Sequence, residues 1–163
     1  MRGPSPGRPQ PLVAYRIVKR KFVVSAFSGL GARRFGGRWN SIGTPMIYTA
    51  GSLSLAVLEW RVHLGQWPPP QLSVIEVEFA EALVWTPRKL PKGWNRYPAP
   101  RSVAIFGDSW VRSQRSIVMR VPSAIVTEEC NYLLNPTHPD FAKLAIGKAR
   151  YFQPDRRLGP IHP

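Results

Sequence analysis

The stretch GLGARRFGGRWNSIGTPMIYTAGSLSLAVLEW, residues 29–60, holds the decisive pattern of this chain. Its second half reads as a strand followed by a helix. Residues 46–50 (MIYTA) predict a short strand entered after Pro45, a position that suits a strand start. Residues 52–64 (SLSLAVLEWRVHL) carry apolar side chains at 53, 56, 57, 60 and 64, the spacing of a core-facing helical stripe, with Ser52 placed to cap it. In the first half, six of the thirteen glycines fall between Gly29 and Gly51, interleaved with Arg33, Arg34 and Arg38. No Asp or Glu precedes Glu59, whereas nine Lys and Arg residues do. A flexible, cationic segment without carboxylates suits a phosphate-bearing ligand, because backbone N–H groups can approach it and arginines supply forked donors. The first acid, Glu59, then arrives inside the apolar helical run. One carboxylate near a phosphate cradle points to chemistry on a nucleotide rather than binding alone.

Outward from this stretch, residues 12–18 (LVAYRIV) alternate as a first strand that carries Arg16. Residues 25–44 read as a loop punctuated by glycine and serine. The triple proline at 68–70 stops the helix. Residues 72–79 (LSVIEVEF) alternate with period two, Ile75, Val77 and Phe79 opposing Glu76 and Glu78, as in a strand half open to water. A long irregular connection over 86–100 precedes a helix over 101–114, weakened by Gly107. Residues 116–121 and 123–126 predict strand pieces parted by Pro122. NYLLNPTHP (131–139) reads as a turn-rich loop, 138–146 as a short helix and 148–153 as a last strand. This order lacks regular βαβ repetition, so the expected fold class is mixed α+β with a mainly antiparallel sheet and short helices.

The 163 residues suit one domain over 12–163, behind a basic, proline-rich N-terminal arm over 1–11. A hydrophobic content of 44% with 11% aromatics argues for a folded globule. Cys130 stands alone, which excludes an internal disulfide and suits a reducing cytoplasm. No apolar run is long enough for a membrane span, and no apolar segment follows the basic start as in a secretory signal. The 23 basic and 9 acidic residues leave a charge of +14, which favours anionic partners without choosing among them.

Absent motifs narrow the choice. The pair Gly29 and Gly31 lacks a third glycine at Arg34, and there is no Walker A pattern. His63, His138, His162 and Cys130 show no metal-ligand spacing, and no Gly-x-Ser-x-Gly elbow occurs. What remains is a constellation in order: G-x-R-x-x-G-G-R-W-N-x-x-G-T-P-x-x-Y-T-A from Gly31, L-A-x-L-E ending at Glu59, V-P-S-A-I-V from Val121 and N-Y-L-L-N-P-x-H-P from Asn131. Over residues 15–158 this resembles the RES-domain family, toxins of bacterial toxin–antitoxin modules named for an Arg, a Glu and a Ser. The resemblance implies an ADP-ribosyltransferase-like fold and action on NAD as substrate, with no further cofactor and no metal. It also implies a cognate antitoxin of the Xre type and a toxin homodimer within a larger complex. Carried onto this chain, the Arg is Arg38, the Glu is Glu59, the Ser is Ser123 with Ser116 as second choice, and the site tyrosine is Tyr48.

The implied chemistry needs these residue types. Nicotinamide leaves a cationic pyridinium as a neutral molecule, so no acid has to protonate it, and one carboxylate suffices where ordinary glycosidases carry two. Glu59 would hold a ribose hydroxyl and stabilise the oxocarbenium charge. Arg38 would hold the pyrophosphate, Tyr48 stack on nicotinamide or its ribose, and Ser123 orient Glu59 or a hydroxyl. Arg16 is a further phosphate ligand, and Trp39, Asn40, Asn131 and His138 are pocket candidates. Plainer roles compete: an exposed Glu59–His63 helical pair, a core tyrosine, a loop arginine, a serine at a strand break. The expected activity is NAD cleavage with water or phosphate as acceptor. The rivals are ADP-ribose transfer to a protein, and nucleic-acid binding through basics and aromatics around Arg33–Trp39 and Trp94–Tyr97.

Overall fold

Strand β1 (Leu12–Lys19) is the axis of the molecule, in a computed structural model that describes residues 10–63, 67 and 69–159. It pairs along its whole length with β3 (Leu72–Phe79), antiparallel, from Leu12 opposite Phe79 to Lys19 opposite Leu72. Its other edge meets β2 (Ile47–Ala50) through a single residue pair, Tyr15 with Ala50. Beyond β2 lie β6 (Cys130–Leu134), β5 (Val118–Pro122) and the two-residue β4 (Val84–Trp85). Two short strands, β7 (Ala145–Ile146) and β8 (Arg150–Phe152), share the outer edge of β3. The sheet order is β4-β5-β6-β2-β1-β3-β7, and among the described residues only β4 and β5 run parallel. The fold class is therefore the mixed, mainly antiparallel α+β expected from the sequence.

Each face has its own core. Ala14, Ile47, Val77, Val118, Tyr132 and Leu134 project from one face, where Leu144 and Phe141 cover them. On the other face the packing falls into two clusters. Helix α3 (Arg101–Ser113) lays Val103, Trp110 and Val111 over Met119, Val121 and Leu133. Helix α2 (Leu53–His63) lays Leu55 and Ala56 over Ala50, Tyr15 and Ile17. Ser52 caps α2 as expected, accepting from Leu55 N at 3.1 Å.

Several local expectations are corrected. The supposed loop over 25–44 contains helix α1 (Leu30–Phe35), started by Ser28 Oγ accepting from Leu30 N at 3.3 Å. NYLL is strand β6, and the turn begins only at Asn135, whose side-chain oxygen accepts from Thr137 N and Oγ1. Alternate apolar residues and two paired neighbours outweigh the turn signals there. The helix expected over 138–146 is a single 3-10 turn (Phe141–Lys143) leading into β7. The second strand piece, over 123–126, is a turn, because Ser123 Oγ accepts from Ile125 N and Val126 N and bends the chain. Gly107 is no weak point: a Cβ there would lie 1.7 Å from Trp39 O, so glycine permits the contact between α3 and the arginine loop. The N-terminal arm over 1–9 and the helix end at residue 64 lie outside the described residues.

Candidate active site

The seam between the two helical clusters carries the polar residues. Glu59, half-buried on α2, accepts at one oxygen, Oε1, from two donors: Ser123 Oγ at 2.9 Å and Asn131 Nδ2 at 2.6 Å. Ser123 is fully buried at the exit of β5, and Asn131 stands on β6 opposite Ala50. Among the described residues Glu59 has no ion pair with His63, and its Oε2 takes no hydrogen bond. The helix thus presents one edge of the carboxylate to its supports and leaves the other edge free.

Tyr48 projects from the same sheet face as Asn131, since residues directly opposite in a ladder share a face and Tyr48 is two residues from Ala50. Its hydroxyl donates to Asn40 Oδ1 at 2.7 Å and accepts from Trp39 N at 3.0 Å. Burial drives the Tyr48 pKa above its ordinary 10.0, while the Trp39 N–H and the Arg38 charge work against that rise. Arg38, half-buried, donates through Nη1 to Trp94 O and Arg96 O, both at 2.7 Å, so it ties the arginine loop to the 86–100 connection.

Arg16 lies where β1 and β2 are joined by one residue pair only. Its Nη1 donates to Tyr48 O at 2.7 Å. No carboxylate pairs with it among the described residues, and burial holds its pKa down to about 10. Three buried polar side-chain atoms lack a partner among the described residues. Asn131 Oδ1 is one of them, beside Glu59, where an unsatisfied group calls for a ligand. Arg16 Nε is another, at the β1–β2 joint, on a side chain that leaves β1 on the Ala14 face, opposite to Tyr15.

The other candidates lie elsewhere or are occupied. Ser116 accepts from Trp110 Nε1 and donates to Val118 O, both at 2.9 Å, away from Glu59. Trp39 is buried with its ring edge-on to Phe106, so it is not free to stack a base. Asn40 Nδ2 donates to Ala32 O, Ser41 O and Thr44 O, which shapes the loop and leaves Oδ1 for Tyr48. His138 serves its turn, with Nδ1 accepting from Asp140 N and Nε2 3.0 Å from Gln114 O. A cavity of about 410 Å³ opens beside the cluster, lined by Gly51, Arg120, Pro122, Glu129 and Cys130 among others, not by Glu59 or Arg38. Two residues escaped the sequence reading. Asp108 anchors the arginine loop by accepting from Ser41 N at 2.9 Å, and Glu129 accepts from Ser52 Oγ at 2.7 Å. Neither sits at a spacing that could have revealed it. No helix among the described residues is long and apolar enough to cross a membrane.

Known proteins share this arrangement of sequence and fold. The chain is 41% identical over 145 residues to a Sphingobium protein described as a Prs ADP-ribosylating toxin, covering 85% of this chain and 90% of that one. It is 39% identical over 133 residues to a protein of Yersinia enterocolitica described as Toxin Res, covering 80% and 88%. A chain in the crystal structure of the M. tuberculosis MbcT–MbcA toxin–antitoxin complex superposes with a TM-score of 0.67 at 18% identity, over 88% of this chain and 85% of that one. The RES domain model matches residues 13–155, nearly all that the structure describes, and the chain belongs to the RES-domain family.

Proposed function

We propose that this chain is the toxin of a toxin–antitoxin module and cleaves the nicotinamide–ribose bond of NAD. One observation carries the reading: around the sheet face of Tyr48, whose hydroxyl feels the Arg38 charge and which shares its face with Asn131, an acid and a guanidinium are each held by uncharged partners, with a second such guanidinium at the β1–β2 joint. Glu59 is supported by neutral donors, Arg38 by backbone carbonyls, and Arg16 by a carbonyl alone. A purely structural cluster would pair these charges. NAD complements both signs, with a diphosphate anion at its centre and a pyridinium cation at its nicotinamide end.

In this reading Arg16 and Arg38 take the diphosphate and Tyr48 packs against the nicotinamide ribose. The free Oε2 of Glu59 accepts from a ribose hydroxyl. As the C–N bond breaks, its electron pair leaves with neutral nicotinamide, and Glu59 stabilises the positive charge on the sugar. Water or phosphate oxygen then bonds to the same carbon, and a water acceptor gives up its proton to Glu59 or solvent. A second reading, transfer of ADP-ribose to a protein, is favoured by the likeness to the Sphingobium ADP-ribosylating toxin. The two share every step except the entering group.

Purified protein incubated with NAD, with and without phosphate, tests this, with nicotinamide and sugar products separated by chromatography. Free ADP-ribose marks hydrolysis, a phosphorylated ADP-ribose marks phosphorolysis, and label retained on protein marks transfer. Equal nicotinamide release by wild type and Glu59→Gln would falsify the role of Glu59. We also propose an Xre-type antitoxin whose acidic segment covers the exposed Arg33 and Arg34 beside Arg38, and a toxin homodimer within that assembly. Salt-independent, equal binding of that antitoxin to wild type and Arg38→Ala defeats the charge-mimicry part.

A further inference from the structure

A second carboxylate borders the cluster. Glu129 Oε2 accepts from Ser52 Oγ at 2.7 Å, and Ser52 Oγ accepts from Leu55 N at 3.1 Å, so Glu129 is the outer partner of the α2 cap. The first turn of α2 contains no acid of its own. Glu129 brings one to that positive helix end from 77 residues away. Its backbone does something different: Glu129 O accepts from Ser123 N at 2.9 Å. Ser123 Oγ then donates to Glu59 Oε1 at 2.9 Å.

These bonds close a circuit. It runs from Ser52 to Glu129, through the turn to Ser123, across to Glu59 and back along α2. Ser52 and Glu59 are two helical turns apart, about 10 Å along the axis. One turn of chain therefore grips the helix at two separated points. A single grip leaves a helix free to pivot, whereas two fix both its rotation and its slide. The second grip matters because α2 is thinly packed: of its eleven residues only Leu55 and Ala56 are buried, and Leu58 and Val62 face outward. The neck is tight as well, with Gly51 N donating to Cys130 O at 2.9 Å just before the cap.

We infer that Glu129 is a positioning residue that sets the angle of Glu59 by locking the α2 cap to the Ser123 turn. It touches neither Glu59 nor, in the reading above, the substrate. Its kinetic consequence rests on NAD cleavage being the activity, whereas its structural consequence does not. Steady-state NAD cleavage and amide hydrogen exchange on wild type, Ser52→Ala, Glu129→Ala, Glu129→Gln and the Ser52→Ala/Glu129→Ala double variant test it together.

Glu129→Ala lowers kcat about tenfold with little change in KM, since the acid is misaimed while the diphosphate site is intact. Glu129→Gln keeps an acceptor for Ser52 and recovers kcat to within about threefold of wild type. The double variant is no worse than about twofold below Glu129→Ala, because both changes cut one link. Exchange at Leu55 N–H and Ser123 N–H rises about tenfold in Glu129→Ala, while the β1–β3 ladder amides do not move. An unchanged kcat in Glu129→Ala, a loss confined to KM, or a glutamine variant as impaired as alanine overturns the inference and leaves NAD cleavage standing. If wild type releases no nicotinamide, the functional reading falls, and exchange alone decides: unaltered Leu55 and Ser123 amides in Glu129→Ala then overturn the lock.

Discussion

Gly107→Ala separates two opposed effects of known size. On helix propensity alone the substitution stabilises α3 by about 1 kcal/mol. Its Cβ, however, would sit 1.7 Å from Trp39 O and 2.8 Å from Trp39 C, where ordinary contact begins at 3.4 Å. The helix and the arginine loop must therefore part by well over an ångström. Neither side yields easily. Trp39 N is held by Tyr48 Oη at 3.0 Å, the Trp39 ring is buried against Phe106, and Ser41 N is held by Asp108 Oδ1 at 2.9 Å. Overpacking of this kind costs about 1–3 kcal/mol, and each hydrogen bond lost adds about 1 kcal/mol. The net expectation is a loss of about 3 kcal/mol, or a Tm lower by about 6–12 °C for a chain of this size. Urea unfolding followed by tryptophan fluorescence, with calorimetry beside it, measures this directly. Gly31→Ala on the exposed α1 is the control, since nothing lies within 4 Å of its Cβ and no loss is expected. A Gly107→Ala protein as stable as wild type, or more so, refutes the close approach. Because Trp39 carries Tyr48 and adjoins Arg38, the folded variant is also expected to turn over NAD more slowly.

Three further outcomes follow from the site. Ser123→Ala and Asn131→Ala each remove one donor from Glu59 Oε1 and are expected to lower kcat for nicotinamide release by about 10–100-fold, whereas Ser116→Ala leaves it alone and costs about 1 kcal/mol through Trp110. Wild-type kcat in both of the first two variants removes the carboxylate support from the mechanism. Arg16→Met deletes a buried cation that has no carboxylate partner among the described residues, so its urea midpoint at neutral pH is expected to hold or rise while KM for NAD climbs about tenfold. Unchanged KM, or a loss of stability above about 3 kcal/mol, contradicts that account. Tyr48 keeps its proton in the folded state after the unfolded chain, with an ordinary pKa of 10.0, has lost it. The stability from that difference is complete below pH 10.0 and declines as pH rises beyond it. Tyr48→Phe is expected to remove this alkaline slope in urea titrations, and an identical slope in the variant disproves the burial of the hydroxyl.

The parts of the fold that follow from local pattern were legible: β1 and β3 as strands, the cap of α2 and the span of α3. The α2 stripe expected at 53, 56, 57, 60 and 64 was not, since the buried pair is Leu55 and Ala56, and β3 is open to water only at Glu76 and Glu78, its first four residues being buried. What misled was punctuation. Asn135-Pro136 and His138-Pro139 mark a real turn, yet Cys130–Leu134 just before it is held as strand by β2 on one side and β5 on the other. Ser28 and the glycines around it look like loop residues, although Ser28 starts α1. At the site, residue types were legible through the family motifs, but their uses were not. Asn131 lies 72 residues from the acid it supports and Glu129 lies 77 from the serine it holds, so only the register of β2 against β6 brings them together.

That register also explains why the acid is on a helix and its supports are on strand ends. β2 and β6 are joined by four residue pairs, so Ala50 and Asn131 cannot slip without turning Tyr48, Leu133 and their neighbours to the wrong face. Asn131 and Tyr48 are therefore placed by the sheet itself, independently of any loop. α2 has no comparable restraint from packing, and hydrogen bonds at Ser52 and Glu59 supply it instead. The joint between β1 and β2, by contrast, is a single residue pair, and Arg16 stands there with Nε buried and unpartnered. A fully laddered β1–β2 edge would leave no place for that side chain's Nη1 to reach Tyr48 O. The weakest joint of the sheet is thus where its charge is least compensated, which is the arrangement a diphosphate needs in order to add binding energy rather than displace an existing ion pair.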